Sequence, residues 1–175
     1  ERMDASDGTL ESLFEGAVDF GEQAKLEGQM LAPAGTYRTV PSLSRTAKVD
    51  ERTQRPTVRF FGMAEGYQNG TGRVSPREGE GATLAKTSVG FTMSPVAAYK
   101  DDGKPDLSTR LFTQAVRAFQ TAYATKPETV GAVMDYIRDY PVHVRVIQVG
   151  VPTPQNPEPD GEPGVIVVSV SAVRD

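Results

Sequence analysis

Only one histidine, His143, stands in this sequence, and there is no cysteine. Acid–base or nucleophilic chemistry of the Ser-His-Asp kind would have to run through that single imidazole. It lies in Val142-His143-Val144-Arg145-Val146, where a period of two puts the valines on a buried strand face and His143 with Arg145 on the other. A multi-histidine or thiolate metal site is excluded by composition. Asp101-Asp102-Gly103 and Asp106 have the residue types of a calcium loop without its ligand spacing, and read as an Asp-rich turn. The glycines at 66, 70, 72, 79 and 81 lead to no Gly-Lys-Ser/Thr, and no Gly-x-Ser-x-Gly elbow occurs. The expectation is a non-enzymatic protein with no cofactor and no metal.

The remaining chemistry is that of cations and aromatic faces, the two groups that single-stranded nucleic acid requires for its phosphates and bases. Arg38, Arg45, Lys48, Arg52, Arg55 and Arg59 fall in one tract, followed by Arg73, Arg77 and Lys86. Tyr37, Phe61 and Tyr67 are interleaved with them. On a strand, Phe60 and Phe61 must point to opposite faces, and Arg59 shares the face of Phe61. An exposed Phe beside an Arg is a stacking site; two buried phenylalanines would be ordinary core.

Charge is unevenly spread. The net charge is −4. Residues 1–30 hold eight acidic and two basic side chains, whereas residues 36–59 hold six basic and two acidic. An acidic chain with a basic tract of this kind is compatible with a polyanion partner, because local patches matter more than the total. The acidic stretch reads as an N-terminal arm, partly ordered or a short helix through Leu10, Leu13, Phe14 and Val18. Such an arm can compete for the basic face or recruit a protein partner.

At 175 residues the remainder, 31–175, is expected to be one domain. The whole chain's 17 glycines and 13 prolines favour a loop-rich β or α+β fold. A first strand is expected over 36–49, interrupted by Pro41. A second follows over 56–64 and a third over 82–93, with a glycine-rich loop between them. Asp106 or Ser108 is placed to cap a helix through Tyr123, and Pro127 to open a second through Asp139. Strands over 142–150 and 164–173 close the chain. The twelve residues Pro152 to Pro163 between them include five prolines and must form a surface loop. The fold class expected is mostly β (α+β): a five-stranded Greek-key barrel of OB type with two helices between strands three and four.

Pro33-Ala34-Gly35-Thr36-Tyr37, the strand from Pro56 to Met63, and Tyr140-Pro141-Val142-His143-Val144-Arg145-Val146, with a helical region between and a closing strand, carry a resemblance. In these features residues 31–173 resemble phage-encoded single-stranded-DNA-binding-like proteins with an OB-fold, from which this chain departs in its two clear helices and its long proline-rich loop. The resemblance implies sequence-tolerant binding of single-stranded DNA, with RNA left open, in replication or recombination, and self-association into an oligomer. No apolar run approaches the roughly 18 residues of a membrane span and no signal-peptide pattern occurs, so the location expected is the cytoplasm of a host cell. The competing reading is a structural module of a virion or complex that assembles through a β edge and the proline-rich loop.

Overall fold

The computed structural model describes residues 7–67 and 86–173. In chain order these form α1 (Asp7–Glu15), α2 (Phe20–Met30), β1 (Gly35–Thr39), β2 (Ser44–Val49), β3 (Pro56–Tyr67), β4 (Lys86–Met93), α3 (Leu107–Tyr123), α4 (Val130–Asp139), β5 (Val142–Val149) and β6 (Gly164–Ala172). The fold is mixed α+β, mostly sheet, with its strands in a curled antiparallel half-barrel.

Strand β3 has β4 on one side; on the other its first half pairs with β2 and its second half with β1. The sheet continues from β1 to β5 and from β5 to β6. The single first strand expected over 36–49 is therefore two. The β ladder runs as far as Val40, whose N–H donates to the Met63 carbonyl (2.8 Å). Pro41 has no N–H to continue it, and Leu43 then turns inward, donating its own N–H to the Arg138 carbonyl of α4 (2.9 Å). The terminal strands β4 and β6 approach one another, and α3 lies against both. Its Gln114 Oε1 accepts the Val170 N–H (2.8 Å), occupying an edge donor that a further strand would otherwise use.

The alternation read from the sequence sets the core. Phe60 and Ala64 of β3 face Val89, Phe91 and Met93 of β4, and all are buried. The Phe60 and Phe91 rings stack with centroids 5.5 Å apart. Val142, Val144 and Val146 line β5. A bulge between Arg145 and Val146 shifts the register, so β6 buries Val167 on one side of it and Val170 with Ala172 on the other. The helices add Leu111, Ala115 and Ala118 from α3 and Val133, Met134, Tyr136 and Ile137 from α4. Helix α4 starts at Val130 rather than Pro127, because Thr129 Oγ1 accepts the Ala132 N–H (3.1 Å) as its cap.

The two layers are stapled by Arg55, which enters β3 from the β2–β3 turn. Its Nη1 donates to Asp106 Oδ2 (2.9 Å), its Nε and Nη2 to the Val96 carbonyl (3.1 and 2.7 Å), and Nη2 also to Ser108 and Thr109 hydroxyls (3.2 and 3.3 Å). Asp106 is at the same time the N-cap of α3, accepting the Thr109 N–H (2.9 Å). Partial burial pushes its carboxyl up, but hydrogen bonds from Thr109 and Ser108 and the charge of Arg55 outweigh that and hold it at about 2. A carboxylate whose pKa falls on folding stabilises the fold above its ordinary pKa and loses that contribution as pH drops through the folded value. Asp106→Ala is expected to cost about 0.5–2 kcal/mol at neutral pH. In urea unfolding, the gap between wild type and variant should close as pH falls from the ordinary 3.8 to about 2. A gap constant over that window would count against the cap.

Candidate functional site

The outward face of β3 carries Arg59, Phe61, Met63 and Glu65. Register places Ser44 of β2, Phe61 and Gly90 of β4 in one row, and Thr46, Arg59 and Thr92 in the next. Phe60 is fully buried while Phe61 is 47% exposed and Met63 44%. Arg59 and Phe61 are neighbours on one face of β3, and both reach over Gly90. A Cβ at that position would come within 2.5 Å of Arg59 Nη2 and 3.2 Å of Phe61 Cδ2, so guanidinium and ring share the floor that the missing side chain leaves open. Sequence reasoning passed over Gly90, although a glycine inside a strand signals a close approach. Lys48 lies opposite Thr57, one diagonal step from Arg59, and is exposed. Arg52 is exposed in the adjoining turn. There Asp50 Oδ1 accepts the N–H groups of Arg52 (2.9 Å) and Thr53 (3.2 Å). Those bonds, that from Thr53 foremost, hold the Asp50 carboxyl below its usual range.

Several residues expected at this face lie elsewhere. Tyr37 is a core residue, 3% exposed, with its hydroxyl donating to the Pro33 carbonyl (2.6 Å); it has no ring face for a base. Its place follows from the pairing of β1, which sets Tyr37 opposite Val144 on the inner side. Arg45 lies opposite Phe60 rather than Phe61, and its Nη1 pairs with Asp135 Oδ1 of α4 at 2.6 Å. Arg55 is the staple described above, its side chain 13% exposed. Arg38 is on the outer face but at the far end, in a row running Lys86, Glu65, Arg38, His143 and Ser171 across five strands. That row sets an acid between its cations. The basic tract of 38–59 is thus divided, with Arg59, Lys48 and Arg52 at one end of the sheet and Arg38 at the other. Tyr67 and Lys86 take their places at the end of β3 and the start of β4. Arg73 and Arg77 lie outside the described residues.

Arg145 was not among the expected site residues, yet it is exposed on the outer face between Thr36 and Ser169. Its alternation with buried valines was the available signal. A cavity of about 530 Å³ lies between α2 and the proline-rich loop, where Asp19, Glu22 and Glu158 meet Lys25, Pro152 and Pro157. Its carboxylates outnumber its one cation, which makes it a poor seat for phosphate. Among the described residues no group of His, Cys, Asp or Glu side chains is arranged to hold a metal ion, and no helix is long and apolar enough to cross a membrane.

Compared with known proteins, the chain matches no family model, no curated protein and no solved structure.

The two phenylalanines test the assignment of faces. Phe60→Ala removes a ring from the core and is expected to cost about 3–5 kcal/mol. Phe61→Ala is expected to cost under about 1 kcal/mol, in the range of surface changes. Equal losses for the two variants in urea unfolding would show that the outward assignment is wrong.

Proposed function

We propose that this chain is a non-catalytic, sequence-tolerant binding protein for single-stranded nucleic acid, DNA in the first place, acting through the outward face of β3 and β4. The observation that carries the reading is the Arg59–Phe61 pair over Gly90: a half-exposed ring beside a guanidinium on a sheet face. A base stacks on the ring whatever its identity, since every base has a π-face, and phosphates follow the cations. Lys48 and Arg52 extend the positive charge from this pair.

Strand order supports the same reading. Counting β1 and β2 as one interrupted strand, the order is 3-2-1-4-5, with α3 and α4 between the third and fourth. We read this as an open barrel of OB type, in which the face of strands two and three receives oligonucleotides. Here those strands are β3 and β4, which carry Phe61, Arg59 and Gly90. The other reading, an assembly module, is favoured by the exposed apolar side chains of α1 and α2. It draws less from the sheet edge, since Gln114 and α3 cover part of β6.

Fluorescence anisotropy of a labelled oligo-dT, at two salt concentrations and with duplex competitor, tests the proposal. Salt-sensitive binding that prefers the single strand is expected. Phe61→Ala should weaken it by roughly 5- to 150-fold, the value of one stacked base. Arg59→Glu should weaken it and flatten the salt dependence by at least the roughly 0.7 that one lost single-strand phosphate contact removes from the log–log slope. Full binding by both variants would remove this face, and absence of binding at low salt would remove the function.

A further inference from the structure

Residues 10–20 leave uncovered apolar side chains of the kind a folded domain normally covers. On α1, Leu10, Leu13 and Phe14 recur at helical spacing and are 40%, 71% and 81% exposed; at the start of α2, Phe20 is 79% exposed. Exposed side chains of this size at helical spacing, as on α1, mark an interaction site. Their surroundings are acidic: α1 and α2 with the linker between them carry Asp7, Glu11, Glu15, Asp19, Glu22 and Glu27 against Lys25 alone. The arm is an apolar stripe flanked by carboxylates.

The same chain presents the complement. Phe61 and Met63 form an apolar strip on β3, 47% and 44% exposed, with exposed Arg59, Lys48 and Arg52 beyond its Phe61 end and Glu65 beyond its Met63 end. Among the described residues, nothing of the same chain covers either surface. The arm leaves the domain through a link held on both sides of its middle: Gln148 Nε2 donates to the Ala32 carbonyl (3.1 Å), and the Tyr37 hydroxyl donates to the Pro33 carbonyl (2.6 Å). We propose that the arm of one copy docks on the β3 face of a second copy. Leu13 and Phe14 cover Phe61 and Met63, while Glu11 and Glu15 meet Arg59 and Lys48. The contact is heterologous, arm to face, so every copy offers one of each and assembly continues until a ring closes.

Because the docked arm and a nucleic-acid strand would use the same ring and cations, each must weaken the other by the same factor. This part rests on the nucleic-acid reading given above; the docking itself does not. Self-association would hold the face closed until a strand displaces the arm, which adds regulation to the binding site.

The test is the solution mass of the full chain by light scattering across a concentration series at low salt, with and without oligo-dT. The mass of wild type is expected to rise above the 18.8 kDa of one chain as concentration increases. Leu13→Ser with Phe14→Ser, both exposed and so neutral for folding, should abolish the rise, and so should Arg59→Glu on the receiving face. Oligo-dT should return wild type to single-chain complexes, and the double variant should bind it more tightly than wild type does. A single-chain mass at every concentration overturns the proposal, as does a rise that the double variant or Arg59→Glu leaves intact. An assembly that binds oligo-dT without dissociating overturns the shared face. Assembly that needs both Phe14 and Arg59 in the presence of an oligo-dT that does not bind upholds the docking and removes the nucleic-acid reading instead.

Discussion

The structure depends on β3 being buried on one face only. It is hydrogen-bonded to β1, β2 and β4, so its register is shared by half the sheet. Phe60 anchors that register, fully buried and stacked on Phe91, a burial worth roughly 1.5–3 kcal/mol. A slip of one residue would exchange the faces along the whole strand. It would bring Arg59 and Phe61 inside, leaving a buried guanidinium to be paired, and turn Phe60 and Ala64 out to water. The outward position of Arg59 and Phe61 is therefore a consequence of the core, not an independent property of the surface.

This explains which parts of the chain were legible in its sequence. Elements governed by local signals were: the β5 alternation of Val142, Val144 and Val146 with His143 and Arg145, the α3 helix with a cap at Asp106 or Ser108, of which the fold uses Asp106, and the opposition of Phe60 to Phe61. Parity says that one phenylalanine is in and the other out. Which one required knowing that β4 offers Phe91 on one side and Gly90 on the other. Where the outcome depended on a partner far along the chain, periodicity was silent. Arg55 lies among five other cations in the sequence, and nothing nearby says that it will meet Asp106, 51 positions away. Arg45 is separated by 90 positions from Asp135. Tyr37 is interleaved with cations in sequence but sits opposite Val144 in space, and its polar handle is satisfied by a carbonyl only four residues back.

A cation that braces a fold and a cation that binds a ligand are the same residue type in different surroundings. Arg55 is nearly enclosed, its guanidinium directed at a carboxylate, a carbonyl and two hydroxyls; adding a phosphate there would mean breaking bonds that hold α3 to β3. Arg59 is the opposite case, exposed and resting over a glycine. Its position is set by steric permission instead of by a carboxylate. The difference decides which arginine can exchange partners without cost to the fold.

A sheet face of the kind proposed here to take nucleobases is also adhesive. An exposed phenylalanine and methionine gain by leaving water whatever covers them, and flanking cations favour any acidic cover, whether phosphate or carboxylate. Salt screens the charge part of that attraction over about 10 Å or less and leaves the apolar part. In the proposed docking, this face and the acidic stripe with Phe14 almost fully in water would attract each other, and concentration would decide whether they meet. On the proposed reading, selectivity for a nucleic-acid strand would then come from length. A strand could run on from the Arg59–Phe61 pair to Lys48 and Arg52, whereas a helix of nine residues, the length of α1, spans only about 13.5 Å at 1.5 Å per residue.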